Sequence, residues 1–161
     1  MTTVLTREHR IELQRATVAE HCRAESAGEW EAVYATFVDR PAGWDAVPFS
    51  MTATGMQGVH EIYTMLSAAL PDLHITITGE YDVPGVSVAE VTITGTHSGD
   101  WCGLPGSGRR ISFEACAVFV FGDGQDAGNI VCERGYWDNE TVLRQMRGEP
   151  DAPTGVGLAA R

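Results

Sequence analysis

At 161 residues the chain is the length of one ordinary domain, long enough to bury a core without disulfides or metals. Hydrophobic residues make up 43% and charged residues 20%, which excludes a disordered chain. The formal charge of −11 repels a phosphate backbone and an anionic bilayer, so neither nucleic acid nor membrane is an expected partner.

Thr6 to Ala27 reads as a first helix, with Thr6 as N-cap and Glu8 in its first turn. A second runs from Glu29 to Val38, its Trp30, Val33, Tyr34 and Phe37 falling at i, i+3, i+4 and i+7. Arg40 to Gly43 breaks it, and the stretch to Gly58 is irregular yet carries Trp44, Phe49, Met51 and Met56. Val59, Ile62, Tyr63, Leu66 and Leu70 mark a third helix that Pro71 ends. The period then drops to two: Leu73, Ile75 and Ile77 alternate with His74, Thr76 and Thr78 in a half-buried strand. Further strands follow at 86–97, 109–121 and 129–137, separated by glycine-rich turns, and a short helix spans Asn139 to Arg147. Residues 1–147 therefore read as one domain and 148–161 as a flexible tail.

Helices first and hairpin-linked strands afterwards give an α+β class. The expected architecture is a cone-shaped, curved antiparallel sheet wrapped around the N-terminal helices, with an apolar cavity. The cysteines at 22, 102, 116 and 132 form no C-x-x-C pair and read as reduced thiols. Such thiols make the cytoplasm the expected compartment, and the N-terminus turns charged too early for a signal peptide. All eleven basic residues are arginine, which removes Schiff-base and phosphate-loop lysine chemistry. No histidine–carboxylate spacing suits a metal, so none is expected.

Several segments are familiar. Gly58-Val-His-Glu-Ile-Tyr63 with Leu70-Pro-Asp-Leu-His-Ile75 resembles the third helix and first long strand of the SnoaL-like polyketide cyclases. Gly95-Thr-His-Ser-Gly99 with Gly103-Leu-Pro-Gly-Ser-Gly-Arg109 resembles their central hairpin. Tyr136-Trp-Asp-Asn139 with Leu143-Arg-Gln145 resembles their last strand and helix. The resemblance implies the nuclear-transport-factor-two-like cone, shared with ketosteroid isomerase, scytalone dehydratase and limonene epoxide hydrolase. It also implies cofactor-free acid/base chemistry on a small hydrophobic carbonyl or epoxide substrate, with aldol ring closure as the specific expectation, and a homodimer formed through the outer sheet face. Alternatives are epoxide hydrolysis or dehydration, and a non-catalytic ligand binder. The chain departs from the family at Arg40 to Trp44, at residues 122–128 and at Arg134-Gly135.

By this resemblance the family's acid/base aspartate falls on Asp138, which alternatively caps the last helix. Without a bulge Asp138 shares a face with Tyr136, Arg134 and Cys132; a bulge instead turns Glu133 inward. His97 lies on the apolar face of its strand, either as an oxyanion donor or as a brace for its own hairpin. Arg134 beside Asp138 would suit water activation. Trp30, Tyr34, Phe37, Tyr63, Phe119 and Tyr136 are the expected substrate-binding wall. His9, His21, His60 and His74 read as ordinary helix or outer-face residues.

Overall fold

Long Val-, Ile- and Thr-rich segments after residue 73 pair into the sheet that organises the chain. In the computed structural model, which describes residues 5–150, this sheet has six strands. They are β1 (Gly43–Ala46), β2 (Met51–Thr54), β3 (His74–Val83), β4 (Val86–Thr96), β5 (Arg110–Phe121) and β6 (Ile130–Trp137). Their order is β2-β1-β6-β5-β4-β3, so β2 and β3 are free edges and the sheet curves without closing. The α+β expectation holds. The sheet is mixed rather than wholly antiparallel, because β1 pairs parallel to β6.

Among the described residues four α-helices accompany the sheet: α1 (Arg7–Ala27), α2 (Trp30–Tyr34), α3 (Gly55–Ala69) and α4 (Asn139–Arg147). Thr6 caps α1 by accepting the His9 N–H, and Gly28 ends it in the left-handed conformation that glycine tolerates. Gln14 ties α1 to the β3–β4 turn, donating to Val83 O and Ser87 Oγ and accepting from the Gly85 N–H. Among the described residues no helix is long and apolar enough to cross a membrane.

Two sequence expectations change. The second helix stops at Tyr34 because the backbone of residues 36–38 is taken by β6: Ile130 N–H donates to Thr36 O, and Val38 N–H donates to Ile130 O. The stretch expected to be irregular contains β1 and β2, whose Trp44 and Ala46 are buried on the sheet. Of the expected tail, residues 151–161 lie outside those described, as do residues 1–4.

One irregularity decides which side chains reach the interior. In the β5–β6 ladder Phe121 pairs with Ile130 but Val120 pairs with Cys132, leaving Val131 as an extra residue. Ile130 faces the core, and counting by twos from it would bring Arg134, Tyr136 and Asp138 inward. The bulge reverses the phase, so Glu133, Gly135 and Trp137 line the concave side instead.

Candidate active site

A cavity of about 60 Å³, measured as space open to the centre of a water-sized sphere, lies between the concave face and helices α1 and α3. Phe113, Phe119, Trp44 and Trp137 form much of its wall, while Ala115, Ala117 and Gly135 leave the space between them. Gly135 is required here: a Cβ would stand 2.9 Å from Trp137 Cζ3 and 3.0 Å from Trp44 Cη2. Gly135→Ala is therefore expected to cost about 1–3 kcal/mol by overpacking, visible in thermal unfolding as a fall of several degrees. An unchanged midpoint would mean the two indoles yield freely.

The cavity is apolar except at one end, where four side chains from three elements meet. Tyr63 Oη donates to Glu133 Oε2 at 2.8 Å and lies 2.9 Å from His21 Nε2. His21 Nε2 is 3.3 Å from Glu133 Oε2 and 3.7 Å from Glu25 Oε2, so the imidazole stands between two carboxyl groups. Its other nitrogen, Nδ1, is 2.8 Å from Thr36 Oγ1. All four groups are nearly sealed from solvent, with His21 at 1%, Tyr63 at 1%, Glu133 at 6% and Glu25 at 7% exposure.

Helix α1 supplies half of this cluster. Its buried positions Gln14, Val18, His21, Cys22 and Glu25 recur at helical spacing, so the inward stripe is partly polar. Tyr63 comes from the apolar face of α3, beside Val59 and Ile62. Glu133 is brought in by the bulge at Val131 and pairs across the sheet with Trp44 on one side and Phe119 on the other.

Hydrogen-bond accounting assigns the protons. The Thr36 hydroxyl donates to Val33 O at 2.6 Å, so it accepts from His21 Nδ1–H. The single Tyr63 proton goes to Glu133, which leaves His21 Nε2 to donate as well, making the ring an imidazolium. Electrostatics agree. Burial alone would push His21 down, but the charge and hydrogen bond of Glu133, with Glu25 beyond, raise it above its ordinary value. Burial pushes Glu25 up to about 8 against the lowering effect of His21, so its carboxyl is protonated at neutral pH. Burial, then Glu133 and Glu25, raise Tyr63 well above the phenol range, so it remains a donor.

The residues singled out from sequence are dispersed. Asp138 is exposed and N-caps α4, accepting from the Glu140 and Thr141 N–H groups and from the Thr141 hydroxyl. Those bonds, the Thr141 hydroxyl first, hold its carboxyl below the usual range, opposite to what a general base near neutrality needs. Arg134 points to the convex side and pairs with Asp45 at 3.1 Å rather than with Asp138. The bulge accounts for both positions. His97 braces its hairpin: its Nδ1 accepts the Ser107 N–H at 3.3 Å and its backbone pairs with Gly108 and Arg109. Tyr136 is 42% exposed on the convex face. Of the expected aromatic wall, Phe119 lines the cavity and Tyr63 belongs to the cluster. Trp30 packs on Tyr63, Phe37 packs on His21, and Tyr34 stacks on His60. Replacing Asp138 by alanine is accordingly expected to cost about 1 kcal/mol as a lost cap, read by chemical denaturation. The cluster at His21 would keep its titration in that variant.

His21 and Glu25 carry no motif that marks them as site residues. The available signal was phase: stepping by three and four residues from Val18 lands on His21, Cys22 and Glu25.

The profile of the SnoaL-like polyketide cyclase family matches residues 13–146. No curated protein matches the chain. Among solved structures, AclR of Streptomyces galilaeus, provisionally a hydroxylase, superposes with a TM-score of 0.72 at 17% identity, over 88% of this chain and 85% of its own. IdmH of Streptomyces antibioticus, provisionally a polyketide cyclase, gives 0.67 at 20% identity over 83% and 98%. An epoxide hydrolase of the LEH-like type from M. tuberculosis gives 0.65 at 17% identity over 86% and 91%. Likeness at such identities establishes a common fold and leaves the chemistry to each site. With the family profile covering 13–146, the chain belongs to the SnoaL-like polyketide cyclase family.

Proposed function

We propose that the chain is a cofactor-independent acid/base enzyme acting on a small, neutral, largely apolar carbonyl compound, closing a ring by intramolecular aldol addition. The observation that carries this reading is the meeting of Glu133, Tyr63, His21 and Glu25 at the single polar end of an apolar cavity. Two buried carboxyl groups flanking one imidazole, with Glu25 raised by its burial, suit the division into base and acid.

Glu133 is the base. It takes the proton from the carbon next to the carbonyl, and the electron pair left behind delocalises onto the carbonyl oxygen. The nucleophilic carbon then attacks a second carbonyl of the same molecule, forming the C–C bond. Glu25, protonated because it is buried, gives its proton to the new alkoxide. The proton now on Glu133 has to reach Glu25 to reset the site. His21 Nε2, at 3.3 Å and 3.7 Å from the two carboxyl groups, passes its proton to Glu25 and takes the one on Glu133. Tyr63 holds the Glu133 carboxylate in place throughout.

The first half of this cycle needs no knowledge of the natural substrate. In heavy water, the wild-type protein is expected to exchange the α-protons of β-tetralone faster than buffer does, followed by loss of the proton NMR signal. A rate equal to buffer, for this ketone and for indanone, would count against acid/base function.

A further inference from the structure

We infer that Trp44 supplies the hydrogen-bond donor that receives the oxygen of the substrate carbonyl, and that the site takes a neutral ketone, enol or phenol. This rests on the acid/base reading above, since it names the group that orients the reacting oxygen beside Glu133.

One buried donor in the cavity wall makes no hydrogen bond within the described residues. Trp44 is 5% exposed, and its buried Nε1 has no hydrogen-bond partner among the described residues. Buried donors in folded proteins are almost always satisfied, and leaving one unmade is costly. The two other tryptophans at the cavity show the ordinary solution: Trp101 and Trp137 both donate to Asn139 Oδ1, at 3.0 Å and 3.4 Å. Trp44 has no equivalent of Asn139, which is the arrangement expected when the acceptor arrives with a ligand.

Position agrees. Trp44 pairs with Glu133 across the parallel β1–β6 ladder, so the two side chains stand side by side on the concave face. The neighbouring Gly135 makes room for the ring, since a Cβ there would meet Trp44 Cη2. The indole N–H does reach toward the Tyr63 hydroxyl, opposing the rise in its pKa as a donor would, but the two groups do not meet hydrogen-bond geometry. The free N–H therefore sits at the polar end of the cavity.

Chemistry separates this group from its neighbours. An indole N–H donates and never accepts, and it keeps its proton at any working pH. It therefore stabilises an oxygen that gains negative charge, whereas Glu25 hands its proton over. A carboxylate ligand would meet Glu133 and be repelled; a carbonyl, enol or phenol oxygen would not.

β-Naphthol is a suitable probe, because its oxygen stands for the enol oxygen and its fluorescence reports binding. Four indole cross-peaks are expected in the nitrogen–proton correlation spectrum of labelled protein, one per tryptophan. The Trp44 peak, identified by its absence in Trp44→Phe, should move downfield as naphthol is added, and Trp44→Phe should bind naphthol about tenfold more weakly. Where Trp44→Phe fails to fold, Phe variants at 30, 101 and 137 assign the peak by elimination and the wild-type shift decides. Equal binding by both proteins with an unmoved Trp44 peak overturns the inference. If α-proton exchange on β-tetralone persists in that case, the acid/base reading survives alone. No binding of naphthol to wild type, together with no exchange, overturns both.

Discussion

Replacing Glu133 by glutamine is expected to slow α-proton exchange on β-tetralone by about a hundred- to ten-thousandfold, the range for loss of a positioned base. The substitution keeps the shape of the side chain, and its amide oxygen can still accept from Tyr63. It removes only the ability to take a proton. A second readout is independent of any substrate. His21 is raised against the effect of its burial chiefly by Glu133, so without that charge its pKa should fall markedly. Imidazole resonances followed by NMR across pH report this directly, and His21 is the one of five histidines that should respond strongly.

The two readouts discriminate between accounts of the site. A fall in both fits a base coupled to an imidazolium. Slower exchange with an unmoved His21 would mean that Glu133 acts without the relay. An unchanged rate would remove Glu133 from the chemistry whatever His21 does. Asp138→Ala is the useful contrast, because its carboxylate is spent on the amides and hydroxyl of the α4 N-terminus. It should lose stability and leave exchange near the wild-type rate.

How much of this was legible follows from where the information resides. The long strands and most helix boundaries lay in the sequence because alternation and helical spacing are local properties. Thr6 as N-cap and the span Asn139–Arg147 are plain in the sequence and present in the fold. β1 was not legible, since four residues, Gly-Trp-Asp-Ala, carry too short a pattern, and their pairing with β6 spans almost ninety residues of sequence. The site depended on a single extra residue. Val131 looks like any strand valine, yet it sets whether Arg134 and Asp138 or Glu133 and Gly135 face the cavity. The bulge was conceivable from sequence, but its place is set by how residues 36–42 hydrogen-bond to Ile130 and Val131, a tertiary constraint. His21 and Glu25 were hidden for another reason. Polar residues on a helix read as solvent-facing, and only the phase of Val18 and Cys22 marks this stripe as buried.

The same buried protons give stability an unusual pH dependence. The Glu25 pKa is about 8 in the folded chain against 4.5 for the free side chain. A group raised on folding contributes its full stability below the unfolded value and loses it as pH rises through the folded one, at up to about 1.4 kcal/mol per pH unit. His21 is also raised, so its contribution is complete below 6.5 and lost at higher pH. The two effects therefore add rather than cancel. Asp72 and Asp138, held below 3.8 by their hydrogen bonds, act in the other direction and lose stability only as pH falls through the acid range. Greatest stability is expected near pH 5, with a melting temperature at pH 9 lower by roughly 10–20 °C. Glu25→Gln keeps the shape and cannot ionise, so it should flatten the alkaline limb and melt above wild type at pH 9. Thermal denaturation of both proteins across pH checks this, and parallel profiles would show that Glu25 does not carry the proton assigned to it. If the limb does flatten, loss of the second catalytic step should accompany it, because the proton that makes the fold sensitive to base is the one delivered to the new alkoxide.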